Sequence, residues 1–270
     1  MSKNDYILGA DDIELGRLKI QHDVWLTEAI RGWNIADFGA GQKILDLGSG
    51  PGYCSLELAK LVGDNGKIIA VDKSKLFINY LSKLKEINNL PIKPILSDFG
   101  ALELDSNTLD GVYCRWALAW IPNPQEILKH ISKAIAPGGR VVIQEYYDWS
   151  THQTIPSMPS LKKAIKASLD SFERSDSDIN VGSLLPQYLS ELGMKILNVR
   201  LMSKVAVPES NTWEWPTTFY NSYFPRLVKM GYISNDDLTA AMEDLKKLKK
   251  LPYSTICCPL MVEVIAEKLA

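Results

Sequence analysis

The sequence has few residues of the two types that most often bind metals or form crosslinks, with three histidines and four cysteines in 270 residues. The cysteines, Cys54, Cys114, Cys257 and Cys258, show no CxxC spacing and have no histidine cluster nearby. This pattern argues against a zinc site, and the apolar surroundings of all four favour reduced, buried thiols. We therefore predict a globular chain without a metal, in which the 46% hydrophobic content forms a packed core.

The sequence also lacks an excess of either charge and any long apolar run. Thirty basic and 32 acidic residues leave a formal net charge of -2 without a long single-sign stretch, so no nucleic-acid or membrane partner is expected. The N-terminus has no apolar signal-peptide region, and no stretch approaches the roughly 20 apolar residues of a membrane span. These absences predict a cytoplasmic protein.

Short β-branched runs alternate with helical periodicity through the first half of the chain. The predicted strands lie at 42–47, 66–72, 92–98, 109–115 and 140–147. Repeated strand, helix and strand predicts right-handed βαβ units and a parallel sheet with helices on both faces.

The pattern changes after about residue 148. Helices are predicted at 157–172, 182–193 and 234–250, and strands at 194–207 and 253–268. Pro259 in the last strand suggests a bulge or an edge position. These last two strands, which are separated by the insertion at 208–250, would form an antiparallel pair at one edge of the sheet.

Neither an internal repeat nor a low-complexity linker divides the sequence, so we predict one domain over residues 1–270. Its parts are an N-terminal helical lid (1–40), a core (41–147), substrate-side insertions (148–193 and 208–250) and a terminal β pair (194–207 and 253–267).

A glycine-rich loop, "DLGSGPG" at 46–52, follows the first predicted strand. Its spacing is GxGxG, whereas the dinucleotide fingerprint GxGxxG would need a glycine at Tyr53. A loop between a strand and a helix lets a ligand approach the backbone and the helix N-terminal amides. The motif alone fits either a ligand cradle or a structural turn.

Two aspartates end the next two predicted strands. Asp72 is placed to accept both hydroxyls of a ribose, which favours a free diol over a 2'-phosphate. Asp98, with Phe99 beside it, is placed to take the exocyclic amine of adenine. The alternative for each aspartate is a turn former or N-cap. Together the three strand ends predict an adenosine-shaped site.

These motifs resemble those of the class I S-adenosylmethionine-dependent methyltransferases. "ILDLGSGPGYCSLELA" resembles the first motif of that family, "IIAVDKS" its ribose-binding second strand, "LSDFG" its adenine-contacting segment and "GVYCRWALAWIPNPQEILKHISKAIAPGGRVVIQEY" its fourth strand through fifth. The resemblance covers about residues 40 to 147. It implies an α/β, Rossmann-like, seven-stranded mixed sheet with an antiparallel last strand, and S-adenosylmethionine bound across the carboxyl ends of the first four strands.

The resemblance also implies a set of cofactor-binding residues. Asp46 and the glycine loop would surround the methionine portion of the cofactor. Asp72 and Lys73, after the second strand, would hold the ribose and one face of adenine. Asp98 and Phe99, after the third strand, would hold the adenine edge. The implied residues are Asp46, Gly48, Ser49, Gly50, Asp72, Lys73, Asp98, Phe99 and Arg115. Arg115-Trp116 departs from the small or apolar residues usual after the fourth strand, which leaves the roles of both side chains open.

Few residues qualify as a general base for the methyl acceptor. In-line displacement depends mainly on alignment and water exclusion, so a catalytic dyad is not required. The candidates are His22 in the N-terminal helix, with Gln21 as a possible pocket residue, and Glu145 and Tyr146 at the end of the fifth strand. Each has a structural alternative, namely solvent exposure for His22 and a paired strand-end carboxylate for Glu145. His130, in a sheet-covering helix, is interpreted as structural.

The segment "TWEWPTTFYNSYF" at 212–224 is the richest in aromatic residues. Helical spacing from Phe219 onward is typical of a core face. The functional alternative is an aromatic-walled lid over an organic acceptor, or over a cationic amine, with Trp116, Trp213, Trp215 and Tyr220 as pocket residues.

Taken together, the sequence predicts an S-adenosylmethionine-dependent methyltransferase that acts on a small organic molecule. The alternatives are methylation of RNA or protein, and a non-catalytic nucleotide-binding or NAD-binding protein of similar fold. The GxGxG spacing and the terminal β pair argue against NAD.

Overall fold

The computed structural model describes residues 12–269, with side chains from Glu14 onward, so the first part of the predicted N-terminal lid, residues 1–11, lies outside the described residues. The helices are α1 (Asp12–Ile35), α2 (Tyr53–Val62), α3 (Lys75–Asn88), α4 (Pro124–Ala134), α5 (Pro159–Glu173), α6 (Leu185–Glu191), α7 (Asn211–Lys229) and α8 (Asn235–Lys249). The strands are β1 (Lys43–Leu47), β2 (Lys67–Asp72), β3 (Ile92–Leu96), β4 (Leu109–Arg115), β5 (Ile135–Asp148), β6 (Gln153–Ile155), β7 (Met194–Met202), β8 (Val205–Ala206), β9 (Thr255–Cys257) and β10 (Leu260–Lys268).

Seven of these strands form the main sheet, in the order β3-β2-β1-β4-β5-β10-β7. The first five are parallel, and β10 runs antiparallel to both of its neighbours, β5 and β7. The predicted α/β fold with a mixed seven-stranded sheet is therefore confirmed. Strand order reverses between β1 and β4, so the carboxyl ends of these two strands flank the point where an open sheet of this type receives its ligand.

Side chains on β1 alternate between the two faces of the sheet, as a strand requires. Ile44 packs into the cluster formed with α1, α2 and α3, whereas Leu45 and Leu47 pack into the cluster formed with the helices on the opposite face. Burial on both faces explains why the parallel strands read as continuous hydrophobic runs.

The last predicted strand, 253–268, is in fact two strands in two sheets. β9 pairs with β6 and β8 in a three-stranded antiparallel sheet, while β10 belongs to the main sheet. The break falls at Cys258-Pro259, where proline has no N–H to donate to a ladder. The small sheet carries β6 and the residues next to it toward α7.

Helix α1 packs on one face of the sheet and is fixed by partly buried polar contacts. Arg200 of β7 donates to Glu28 of α1 at 2.6 Å and to Glu263 of β10 at 3.0 Å. At the other end of the helix, Trp215 of α7 donates its indole N–H to Gln21 at 3.0 Å. These contacts place the N-terminal half of α1 beside the carboxyl ends of the strands.

Helix α7 contains the whole aromatic segment and begins earlier than the spacing from Phe219 suggested. Ser210 caps it by accepting a hydrogen bond from the Trp213 N–H at 3.3 Å. Buried residues recur along it at helical spacing, which places Trp213, Tyr220 and Phe224 in the core.

Candidate functional site

The glycine loop connects β1 to α2 in a left-handed backbone conformation. Gly48, Gly50 and Gly52 have φ values of 75°, 54° and 85°, which residues with a side chain rarely adopt. The Gly48 N–H donates to the Val71 carbonyl of β2 at 2.9 Å, and a Cβ at this glycine would clash with the side chain of Ala117. The loop therefore needs glycine both for its conformation and for its close approach to the segment after β4.

Asp72 at the end of β2 locks the loop in place. Its Oδ2 accepts a hydrogen bond from the Gly50 N–H at 2.9 Å, and its Oδ1 accepts one from the Ser74 N–H at 2.8 Å. Burial raises the pKa of this carboxyl, and the two backbone N–H groups oppose that effect. A carboxylate has about four acceptor sites, so Asp72 keeps capacity for a ligand hydroxyl.

These elements surround one cleft at the carboxyl ends of β1 to β4, with about 1030 Å³ of space between its walls and its mouth. All nine residues that the resemblance implied for cofactor binding line this cleft. Asp98 is exposed at its rim and accepts a hydrogen bond from the Gly100 N–H at 3.0 Å, so it also serves as the turn former of the alternative interpretation.

Two polar atoms in the cleft wall are buried without a hydrogen-bond partner among the described residues. They are Oγ of Ser49 and Nη1 of Arg115. The Arg115 guanidinium packs over the ring of Trp116, with 4.9 Å between its Cζ and the ring centroid. Buried polar groups without partners are rare in proteins, and both of these residues belong to the wall of a cleft in which a polar ligand would supply partners.

Asp46 lies on the floor of the cleft. It is 2% exposed and accepts a hydrogen bond from the Ser55 hydroxyl at 2.5 Å. Burial raises its pKa to about 6, while the Ser55 hydrogen bond and Arg115 favour the charged form. A cationic group beside it would hold it ionised.

Helix α1 closes one side of the cleft with Leu18, Gln21 and His22. His22 is buried, its Nδ1 lies 3.7 Å from Sγ of Cys54, and burial lowers its pKa to about 4. His22 is therefore neutral near pH 7.

Several lining residues were not singled out from the sequence. They are Leu18, Pro51, Tyr53, Cys54, Ser74, Phe77, Tyr113, Ala117, Trp120 and Ile121. Phe77 and Tyr113 belong to regular apolar patterns, so nothing in their spacing distinguished them from core residues. Tyr53 had a signal, because it takes the position where a dinucleotide fingerprint has its third glycine.

Glu145 does not line the cleft, and its expected position facing an acceptor is wrong. It is fully buried, and its Oε1 accepts hydrogen bonds from the N–H groups of Ala117 and Leu118 at 2.8 and 2.7 Å. Trp116, immediately before them, has a φ of 53°, an uncommon value for a bulky residue. Glu145 thus holds the turn that positions Trp116, and burial raises its pKa to about 8.

A second cavity, which we call the aromatic chamber, adjoins the cleft. It is lined by Trp120, Tyr146, Trp149, His152, Phe172, Trp215, Pro216, Phe219 and Pro259. The candidates Tyr146 and Trp215 therefore lie in the chamber, whereas Trp116 lines the cleft. Trp213 and Tyr220 line neither, because their positions on α7 turn them into the core.

Residues 12–269 bring together no group of three or more histidine, cysteine, aspartate or glutamate side chains able to hold a metal ion. None of the helices in this range combines the length and the apolar character needed to cross a membrane.

A left-handed glycine loop after the first strand, with carboxylates at the ends of the next two, defines a nucleotide-binding site of the Rossmann-like class. The methyltransferase domain family matches residues 39–193 of this chain, more than half of its length. The chain belongs to this family, and its sheet order is that of a class I S-adenosylmethionine-dependent methyltransferase.

Relatives and solved structures agree with this assignment. Methyltransferase str2 of Strobilurus tenacellus is 26% identical over 251 residues, covering 90% of this chain and 85% of its own. Demethylmenaquinone methyltransferase of Lactococcus lactis is 32% identical over 137 residues, about half of each chain. The fold also matches phosphoethanolamine N-methyltransferase 2 of Haemonchus contortus, solved with S-adenosyl-L-methionine, with a TM-score of 0.58, 15% identity and coverage of 91% of this chain and 53% of that one.

The buried carboxyl of Glu145 predicts a pH dependence of stability. Its pKa is about 8 in the folded protein against 4.5 ordinarily, so the folded state holds a proton that the unfolded state releases. The stability that depends on this proton is complete below about pH 4.5 and is lost as pH rises through about 8. In Glu145→Gln, the amide oxygen still accepts from Ala117 and Leu118, but the group no longer ionises.

We therefore expect the free energy of unfolding to fall less between about pH 5 and pH 8 in Glu145→Gln than in the unmodified chain. Urea unfolding of both proteins at several pH values measures the difference, and other buried acids such as Asp46 contribute equally to both. Parallel stability curves would contradict the assignment.

Proposed function

We propose that this protein transfers a methyl group from S-adenosylmethionine to a small organic acceptor by in-line displacement. The observation that carries the proposal is the cleft, whose walls include the glycine loop, locked by Asp72, and the partnerless polar atoms of Ser49 and Arg115. Its composition suits a ligand with a diol, a ring and a charged polar end.

The residues of the cleft fit that cofactor from one end to the other. Asp72 offers carboxylate lone pairs to the ribose hydroxyls, and Asp98 with Phe99 offers a hydrogen-bond acceptor and an apolar face to adenine. At the opposite end, Asp46 suits the amino group of the methionine portion, and the guanidinium of Arg115 suits its carboxylate. Gly48 and Gly50 leave the backbone open to close approach.

When bound, the cofactor supplies a methyl carbon on a positively charged sulfur, which an acceptor lone pair takes as the carbon–sulfur bond breaks. The chain contributes alignment and exclusion of water, with α1 over the cleft and Trp116 in its wall. His22 is neutral and weakly basic, and burial keeps the Tyr146 hydroxyl protonated by raising its pKa. We infer that the acceptor atom supplies its own nucleophilicity or loses its proton to the neutral imidazole of His22, since the protonated Tyr146 hydroxyl cannot act as a base.

The relatives support a small acceptor. The Lactococcus relative is named for demethylmenaquinone, and the Haemonchus structural neighbour for phosphoethanolamine. The near-neutral net charge of this chain gives no overall electrostatic attraction for RNA, which would need a local basic patch.

A labelled-methyl screen tests the proposal. The purified protein is incubated with methyl-labelled S-adenosylmethionine and a fractionated cell extract, and the label is followed into small molecules, RNA and protein. We expect the label in a small-molecule fraction, with Asp72→Ala as an inactive control because it loses both the ribose contact and the lock on the loop. Label found only in protein or RNA would refute a small acceptor.

The proposed role of Arg115 predicts a selective loss of affinity. In Arg115→Met, S-adenosylmethionine should bind about tenfold more weakly or worse, the usual scale for a lost charged hydrogen bond. Decarboxylated S-adenosylmethionine, which lacks only the carboxylate, should bind the variant and the unmodified protein about equally. Calorimetry with both ligands measures this, and Arg31→Met, an exposed change on α1, is the control. Equal losses for the two ligands would mean that Arg115 acts through the fold.

A further inference from the structure

We propose that the aromatic chamber binds an uncharged, planar aromatic ring of the methyl acceptor. This inference rests on the proposed function, because it concerns the acceptor that meets the cofactor in the cleft. It adds the chemical class of that acceptor.

The chamber adjoins the cleft, and Trp120 lines both cavities. The wall between them is a ring stack, in which Trp116 on the cleft side lies 6.1 Å from Tyr146 and 5.8 Å from Trp215 on the chamber side, at interplanar angles of 27° and 22°. A molecule in the chamber therefore has one end beside the cofactor cleft, where a methyl acceptor has to lie.

The walls of the chamber suit a flat ring. Six of its nine lining residues are aromatic and two are prolines. Trp149 and Trp120 each meet Phe172 edge to face, with centroids 5.3 Å apart and interplanar angles of 79° and 77°. Perpendicular walls of this kind offer both ring faces and ring edges, the two arrangements in which a further aromatic ring packs favourably. The space of about 350 Å³ at the chamber includes open solvent outside its mouth.

The lack of charged side chains in the lining of the chamber disfavours an ionic occupant. Its lining contains no lysine, arginine, aspartate or glutamate among the described residues. His152 is its one histidine, and both ring nitrogens are engaged, since Nδ1 lies 2.9 Å from the Cys257 carbonyl and Nε2 lies 2.6 Å from the Tyr220 hydroxyl. The carbonyl can only accept, so Nδ1 carries the proton and Tyr220 donates to Nε2.

Burial lowers the pKa of His152 to about 4, so this residue is neutral near pH 7. A charged acceptor group entering the chamber would lose its hydration without meeting a charged side chain in the lining, which is costly. The geometry and the charge together favour a neutral ring over the cationic amine that an aromatic lid would also suit.

The test is calorimetric titration of the protein saturated with S-adenosylhomocysteine, using three two-ring probes of similar shape. The probes are 2-naphthol, which is neutral near pH 7, the anion 2-naphthoate and the cation 2-naphthylmethylammonium. We expect 2-naphthol to bind one site, and each charged probe to bind at least about tenfold more weakly.

Phe219→Trp places a larger ring in the chamber wall and should weaken 2-naphthol binding at least about tenfold, with no change in S-adenosylhomocysteine affinity. Tyr147→Trp, on an exposed side chain that lines neither cavity, is the matched control. The inference is overturned if a charged probe binds as tightly as 2-naphthol, or if Phe219→Trp leaves 2-naphthol binding intact. A protein that does not bind S-adenosylhomocysteine would instead refute the proposed function, and this inference with it.

Discussion

The hydrogen bond from the Gly50 N–H to Asp72 Oδ2 joins the two parts on which the site depends. It fixes a left-handed glycine loop to the end of the neighbouring strand, and it aims a carboxylate into the cleft. The same loop approaches the segment after β4 so closely that a side chain at Gly48 would clash with Ala117. The positions of three strand ends are therefore coupled, and the walls of the cleft are set by backbone geometry before any ligand binds.

That coupling extends to the second cavity through the turn after β4. Glu145 holds the N–H groups of Ala117 and Leu118, and this turn carries Trp116 in an uncommon backbone conformation between the cleft and the chamber. Glu145, whose position in the sequence resembles that of a catalytic acid, thus has a structural role: its buried carboxyl stabilises the turn that carries Trp116. If the chamber binds the acceptor as proposed, this arrangement contributes alignment of the two ligands rather than acid–base chemistry.

The parallel half of the fold could be predicted from the sequence because its strands are buried on both faces and its helices carry a clear apolar stripe. The glycine loop, Asp72 and Asp98 could also be predicted from the sequence, because each lies at the carboxyl end of a predicted strand. The rest depends on tertiary contacts that have no local signal. The packing of α7 on α1 and on the small sheet decides that Trp213 faces the core, that Trp215 faces the chamber and that His152 bonds to Tyr220. The break at Pro259, which divides one predicted strand between two sheets, also depends on tertiary structure.

The measurement that tests the central claim most directly is calorimetric titration of the protein with S-adenosylhomocysteine and, separately, with NAD. The matched variant is Asp72→Ala, which lacks the carboxylate. The account predicts one-site binding of S-adenosylhomocysteine that Asp72→Ala weakens at least about tenfold, and no binding of NAD. Binding of NAD without S-adenosylhomocysteine, or an affinity for S-adenosylhomocysteine that is unchanged in Asp72→Ala, would contradict it.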